Sequence, residues 1–186
     1  MNRKEFKEIT AYEKQQYVDL VGGKKQFMLR FIKAHPDYYA WKYVFRLRRV
    51  EYYYELRKKN IFHTIKYLIE CRKKNKLGRK LGIEMGECCA DRGLMIFHTQ
   101  GIVINGNVRM GQNVRLHGNN CIGNSGLDNK APVIGNNVDI GVGAKIIGDV
   151  EIADDIIIGA GTVVVHSFLT KGVTLVGVPA RAIKKG

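Results

Sequence analysis

The sequence predicts a mainly β protein, a parallel β-helix wound from coils of three short strands, with an α-helical region before it. Three observations lead there. Aliphatic residues recur every six positions at Ile104, Met110, Leu116 and Ile122, and again at Ile134, Ile140, Ile146, Ile152, Ile158 and Val164. Earlier, apolar and aromatic residues recur at intervals of three and four, as in Phe27 and Phe31 or Trp41 and Phe45. Composition also divides the chain: residues 1–80 hold 22 of 31 Lys and Arg, 8 of 17 Asp and Glu and 15 of 17 aromatics, whereas 18 of 21 glycines come later. The whole net charge of +14 therefore lies in a basic, aromatic-rich α-helical region at 1–80, and residues 81–186 form a near-neutral β domain.

In the first part the spacing predicts helices over 3–21, 24–34, 38–59 and 61–76. Gly22-Gly23 and Asn60 interrupt them, and Pro36-Asp37 reads as a turn entering the third helix. The cluster from Arg46 to Arg49, the triple Tyr52-Tyr53-Tyr54 and the run from Arg72 to Lys80 give a basic surface with aromatics between. Three readings fit such a surface: a solvated helical face, contact with an anionic membrane or polyanionic acceptor, and nucleic acid. No recognition motif accompanies the third.

A helix cannot keep a six-residue stripe on one face, and neither can a simple two-period strand. A coil of three strands with tight turns can, each hexapeptide forming one wall of a triangular prism. Its first residue points inward, and four places later stands a second small or branched residue, such as Val108, Val114, Val138, Ala144, Val150, Ile156 or Thr162. Glycine and asparagine, as in Gly106-Asn107 and Asn136-Asn137, supply the left-handed backbone that corners require.

The series breaks twice. Between Ile96 and Ile104 the interval is eight, so the segment HTQG pushes a bend out of the wall. Between Ile122 and Ile134 the repeat is silent over GNSGLDNKAPV, which reads as a loop leaving the prism. The acceptor pocket is expected between these two interruptions. His98, on the first, is the candidate base, because a neutral imidazole with an ordinary pKa near 6.5 suits deprotonation of a hydroxyl.

The repeats resemble the hexapeptide-repeat acyltransferases, and GLMIFHTQGIVINGNVRMG with the closing TLVGVPARAI is similar to serine acetyltransferases and their relatives in polysaccharide gene clusters. The resemblance covers residues 81–186 well and RLRRVEYYYELRKK more loosely. It implies a left-handed parallel β-helix, acetyl-CoA as co-substrate without a metal, and a homotrimer whose clefts lie between subunits. It gives His98 the role of general base, with a carboxylate one coil earlier to orient its ring. That position falls on Glu84 when one residue is taken as missing in ECCADRG, with Asp91 as the fallback. For the cofactor it implies Gly143, Ala144, Gly159, Ala160 and Gly161 along the pantetheine arm, and Lys145, Lys171, Arg181, Lys184 and Lys185 as candidates for the phosphates.

The acceptor site departs from serine acetyltransferases. The acidic residue before the catalytic histidine is Phe97, and the Arg-His pair that grips the serine carboxylate is matched by Lys130-Ala131. His117 follows an inward leucine and is placed with Phe97 and Lys130 at the acceptor. These changes point to a sugar hydroxyl of a surface or capsular polysaccharide precursor; the alternative is L-serine, giving O-acetyl-L-serine for cysteine biosynthesis. The tail RAIKKG lacks the isoleucine that would dock into cysteine synthase.

No apolar run approaches the ~18 residues that span a bilayer, and MNRKEFKE lacks a signal's apolar core. The expected location is cytoplasmic, with possible peripheral contact at the inner face of the membrane. Cys71, Cys88, Cys89 and Cys121 have neither metal-ligand nor disulfide spacing. A zinc-dependent hydratase on this fold would need several converging histidines, and only His98 and His117 precede His166 in the repeats. A purely structural solenoid would leave HTQG without a reason.

Overall fold

Three of the four helices begin at a side chain, Asn2, His35 or Asn60, that accepts from their free N–H groups. The structure is a computed structural model describing residues 1–183, and it falls into two compact units, Met1–Gly82 and the chain from Ile83 onward. Helix α1 (Arg3–Leu20) is capped by Asn2, which accepts from the Lys4 and Glu5 N–H groups while Glu5 accepts from Asn2. Gly22 and Gly23 turn the chain at φ of 86° and 104° into α2 (Lys24–Ile32).

Helix α3 (Pro36–Leu56) starts two residues earlier than the spacing predicts. Pro36 occupies the first helical position, where no N–H is needed, and the His35 ring accepts from the Asp37 N–H. Asn60 caps α4 (Ile61–Leu81), which runs past the expected end at 76. Arg79 and Lys80 sit in its last turn, favourable beside the carbonyl end of the dipole, and Gly82 stops it with a left-handed φ of 68°.

The core of this unit holds Tyr17, Tyr43 and Leu47, all fully buried, around an ion cluster. Arg48 donates to Glu13 and Glu51, each contact as short as 2.8 Å, with the three side chains at most 5% exposed. Burial works against the Arg48 charge, but the Glu51 and Glu13 carboxylates outweigh it and hold the guanidinium above its ordinary pKa. Arg46 and Arg49 both turn to the buried Glu70. The Arg46–Arg49 cluster is thus largely internal pairing, a correction to its reading as basic surface.

The second unit is a left-handed parallel β-helix with three walls. The first wall stacks β1 (Ile83–Met85), β3 (Ile102–Ile104), β6 (Cys121–Gly123), β9 (Lys145–Ile147) and β12 (Val163–Val164). The second stacks β4 (Arg109–Met110), β7 (Val133–Ile134) and β10 (Glu151–Ile152). The third stacks β2 (Met95–Ile96), β5 (Arg115–Leu116), β8 (Asp139–Ile140), β11 (Ile157–Ile158) and β13 (Thr174–Val176), closed by antiparallel β14 (Arg181–Ile183).

All ten aliphatic positions of the six-residue series point inward and are at most 3% exposed. A regular coil takes eighteen residues, as between Asp139 and Ile157. Met95 pairs instead with Arg115 and Arg115 with Asp139, so the two interruptions add two and six residues without disturbing the stack. Side-chain amides lace one corner: Asn113 donates to Asn137 and Asn137 to Asp155, at 3.1 and 2.9 Å, all three with left-handed φ. No helix among the described residues is long and apolar enough to cross a membrane.

Candidate active site

Outward residues of the third wall stand in ranks fixed by strand register. Because Ile96, Leu116, Ile140 and Ile158 pair inward, the next residues, Phe97, His117, Gly141 and Gly159, form one outward rank. Phe97 and His117 stack at 4.5 Å between centroids and 4° between planes. Beyond them the two glycines carry no side chain, and a groove of about 500 Å³ opens, lined by His98, His117, Asp139, Val142 and Ile157 over Gly141, Gly159 and Ala160.

His98 begins the corner that leads from the third wall to the first. It is exposed, and its ring makes no hydrogen bond or ion pair among the described residues. The corner beneath it is tightly set. A Cβ on Gly118, whose φ is +96°, would come within 2.8 and 2.9 Å of the His98 carbonyl oxygen and Cβ. Asn120, fully buried, accepts from the Gly118 N–H at 3.0 Å and donates to the Gly141 carbonyl at 2.8 Å, tying the corner to the groove floor.

Asp139 is the carboxylate of this groove, and sequence reasoning missed it. Its Oδ1 lies 2.7 Å from His117 Nε2 and its Oδ2 3.6 Å from the Arg115 guanidinium. The imidazole nitrogen is buried, yet the carboxylate stands off the N–H direction, so the short approach is not a hydrogen bond and Nε2 is left without one. The available signal was the outward slot of the repeat, where Arg115 and Asp139 place opposite charges side by side in paired strands.

Glu84 lies outward and exposed on β1 of the first wall, beside Val103, and forms no bond with His98. Asp91 lines a shallow cavity at the second wall with Arg109 and Val133. Neither expected carboxylate partner shares the His98 groove, because β1 and the segment before β2 belong to other walls. The loop of the second interruption leaves after β6 on the first wall, and none of its residues lines this groove. Lys130 on that loop is held by Asp149 at 2.6 Å, which raises its pKa above the ordinary lysine value.

Of the residues placed along the cofactor arm, Gly159 and Ala160 line the groove, whereas the Ala144 methyl is buried inside the prism. Gly143 and Gly161 turn the His98-side corner at φ of 75° and 68°, and a Cβ on Gly161 would meet nothing within 4 Å. This open, small-residue edge fits a thin flexible chain such as pantetheine. Lys145 is exposed at the start of β9, its Nζ 3.4 Å from the Gly143 carbonyl, and Arg181 is exposed on β14; neither has an ion pair among the described residues. Lys171 is paired with Asp154 at 2.6 Å. Lys184 and Lys185 lie outside the described residues.

The remaining histidines have local or no partners: His35 and His63 serve helix starts, and His166 is exposed. No group of three or more metal-ligating side chains converges among the described residues.

No family model matches the chain. Over 96 residues, half of this chain, it is 40% identical to a serine acetyltransferase of Buchnera aphidicola, covering 36% of that protein. It is 38% identical over the same length to a serine acetyltransferase of Helicobacter pylori, covering 56% of it. The chain thus spans between about a third and just over half of these relatives. Among solved structures, the serine acetyltransferase of Neisseria gonorrhoeae matches 99% of this chain and 68% of its own at a TM-score of 0.75 and 24% identity. That of Brucella abortus in complex with coenzyme A matches 98% and 69% at a TM-score of 0.77 and 22% identity. At such identities these structures show the fold.

Proposed function

We propose that this chain, whose repeat half is of the serine acetyltransferase-like hexapeptide kind, is an O-acetyltransferase using acetyl-CoA. One observation carries the reading: an exposed, unpartnered histidine stands on an inserted corner above a groove floored by glycine and alanine. His98 takes the proton from an acceptor hydroxyl as its oxygen attacks the thioester carbonyl. A C–O bond forms, the C–S bond breaks, and His98 returns the proton to the departing sulfur. Gly159, Ala160 and Gly161 provide the narrow floor for the pantetheine arm, and Lys145 and Arg181 the cations for phosphate.

The partner carboxylate that the resemblance assigns is Glu84. A lower kcat in Glu84→Gln with acceptor KM unchanged would support it, and an unchanged kcat would remove it.

Two acceptors compete. The relatives' names support L-serine over a polysaccharide sugar. A sugar hydroxyl is favoured by Phe97, stacked on His117, and by Lys130, engaged with Asp149 rather than free for an amino acid carboxylate. Thiol release from acetyl-CoA, measured with L-serine and then with a panel of sugars, tests both; no acceptor-dependent release would overturn the enzyme reading.

A groove open along one side of a single prism suits a homotrimer, in which a neighbour supplies the second side. Light scattering at the mass of one chain would reject it. For the helical unit we extend the proposal to peripheral contact with an anionic membrane. On α4 the exposed residues Ile61, Phe62, Ile65, Leu68 and Ile69 form one stripe, continued by exposed Arg72, Lys76 and Arg79. Failure to pellet with acidic vesicles at low ionic strength would sink that contact.

A further inference from the structure

We infer that Asp139 and His117 are the acceptor-recognition pair of this groove, receiving a hydrogen-bonding group that neighbours the reacting hydroxyl. The inference rests on the proposed acetyl transfer and adds Asp139, which the resemblance does not assign.

The pair is incomplete as it stands. Buried polar atoms are almost always hydrogen-bonded, yet His117 Nε2 is buried without a hydrogen bond, with Asp139 as its charged neighbour. Asp139 approaches it at 2.7 Å from a direction the N–H cannot use, and the carboxylate's other contact is an ion-pair distance of 3.6 Å to Arg115. Stacking against Phe97, nearly parallel at 4°, opposes rotation of the His117 ring toward the carboxylate. The next two places in its rank, Gly141 and Gly159, carry no side chain into the space beside it.

A hydroxyl seated there accepts from Nε2–H and donates to Asp139; an ammonium donates to Asp139 alone. Either source meets the same need, a donor group close to the hydroxyl presented to His98. The separation suits a small acceptor. His117 is followed directly by Gly118, the residue against which His98 is seated, and all three side chains open into one groove. The vicinal hydroxyl of a sugar and the α-ammonium of serine are the two candidate donors.

The test uses the full chain with Asp139→Asn and His117→Gln, and measures kcat and KM separately for acetyl-CoA and for each acceptor. The arms are L-serine against N-acetyl-L-serine, which lacks the ammonium, and an active sugar against its neighbouring deoxy analogue. Loss of a hydrogen bond to a charged group predicts a rise in acceptor KM of about tenfold or more in Asp139→Asn. The KM for acetyl-CoA and the unfolding midpoint should stay near wild type, which separates recognition from a structural role. Discrimination should collapse in the serine arm if an ammonium occupies the pair, and in the sugar arm if a hydroxyl does. An active protein whose acceptor KM is unchanged in both variants overturns the pair while leaving the acetyl transfer standing. Wild-type protein without acceptor-dependent thiol release overturns the transfer reading and the pair with it.

Discussion

The two units bury polar groups in different ways. The helical unit keeps a cation and two carboxylates at its centre, Arg48 with Glu13 and Glu51. The β-helix keeps its inward positions aliphatic but for Asn120 and Thr162, which fill the same slot of the repeat, the Thr162 hydroxyl 3.4 Å from the Leu175 carbonyl. Among the described residues the other buried polar side chain in the repeats is Thr99, which with Asn120 lies at the corner that carries His98. Helices with similar aromatic faces can pack in several registers, and a fixed set of ion pairs selects one of them. A stack with a strict period needs no such selector, so a buried polar group in it marks the site.

The largest expected effect tests that contrast at the site. His98→Ala should lower turnover by roughly 10²–10⁴-fold, the range for loss of a general base, with the thermal unfolding curve unchanged because the exposed ring makes no hydrogen bond or ion pair among the described residues. A fully active variant would return the HTQG corner to a structural role.

Next comes breaking each core in its own currency. Glu13→Ala leaves Arg48 with a reduced set of buried partners and should cost about 3–5 kcal/mol, as when one member of a buried pair is removed. Ile146→Ala, at a fully buried inward position, removes only aliphatic carbons and should cost about 2–5 kcal/mol through lost transfer energy and a cavity. Trp41, the chain's single tryptophan, lies in α3, so its fluorescence should report the first change and not the second. Equal fluorescence shifts in both variants would mean that the units do not respond separately.

What the sequence made legible follows the same division. The six-residue period identified all ten aliphatic positions from Ile104 to Val164, because an aliphatic column leaves no freedom of phase. It also marked His98, since two extra residues in a fixed coil have nowhere to go but outward. Asp139 escaped notice because outward slots accept any residue, and because its nearness to His117 depends on β5 pairing with β8 across an inserted loop. Arg48 escaped for a different reason: a run of arginines reads as surface, although Val44, Leu47, Arg48 and Glu51 share one helical stripe and are all buried.

A pair of glycines sharpens the comparison at smaller scale. Gly118 and Gly148 have nearly equal left-handed φ, +96° and +97°, so alanine is strained by about the same amount at each. Around Gly148 a Cβ would meet nothing within 4 Å, whereas at Gly118 it meets the His98 backbone. Both variants should lose about 1–2 kcal/mol from backbone strain, but Gly118→Ala alone should lower kcat as His98 is displaced. Equal kcat values in the two variants would show that the corner does not set the base.

The smallest effect belongs to the helical unit and to acid. Although burial acts to raise the Glu70 pKa, hydrogen bonds and charges from Arg46 and Arg49 outweigh it and hold the carboxyl below its ordinary value of 4.5. A folded pKa lowered in this way contributes stability that is fully present above the unfolded value and is lost as pH falls through the folded one. Glu70→Gln should therefore lower the Trp41-monitored midpoint at pH 6, and the gap from wild type should narrow as pH falls below about 4.5. The β-helix offers the internal control: its inward columns carry no titratable group, so Ile146→Ala should keep a gap from wild type that does not depend on pH over the same range. A Glu70→Gln gap equally insensitive to pH would show that the side chain matters there for its packing, not for its charge.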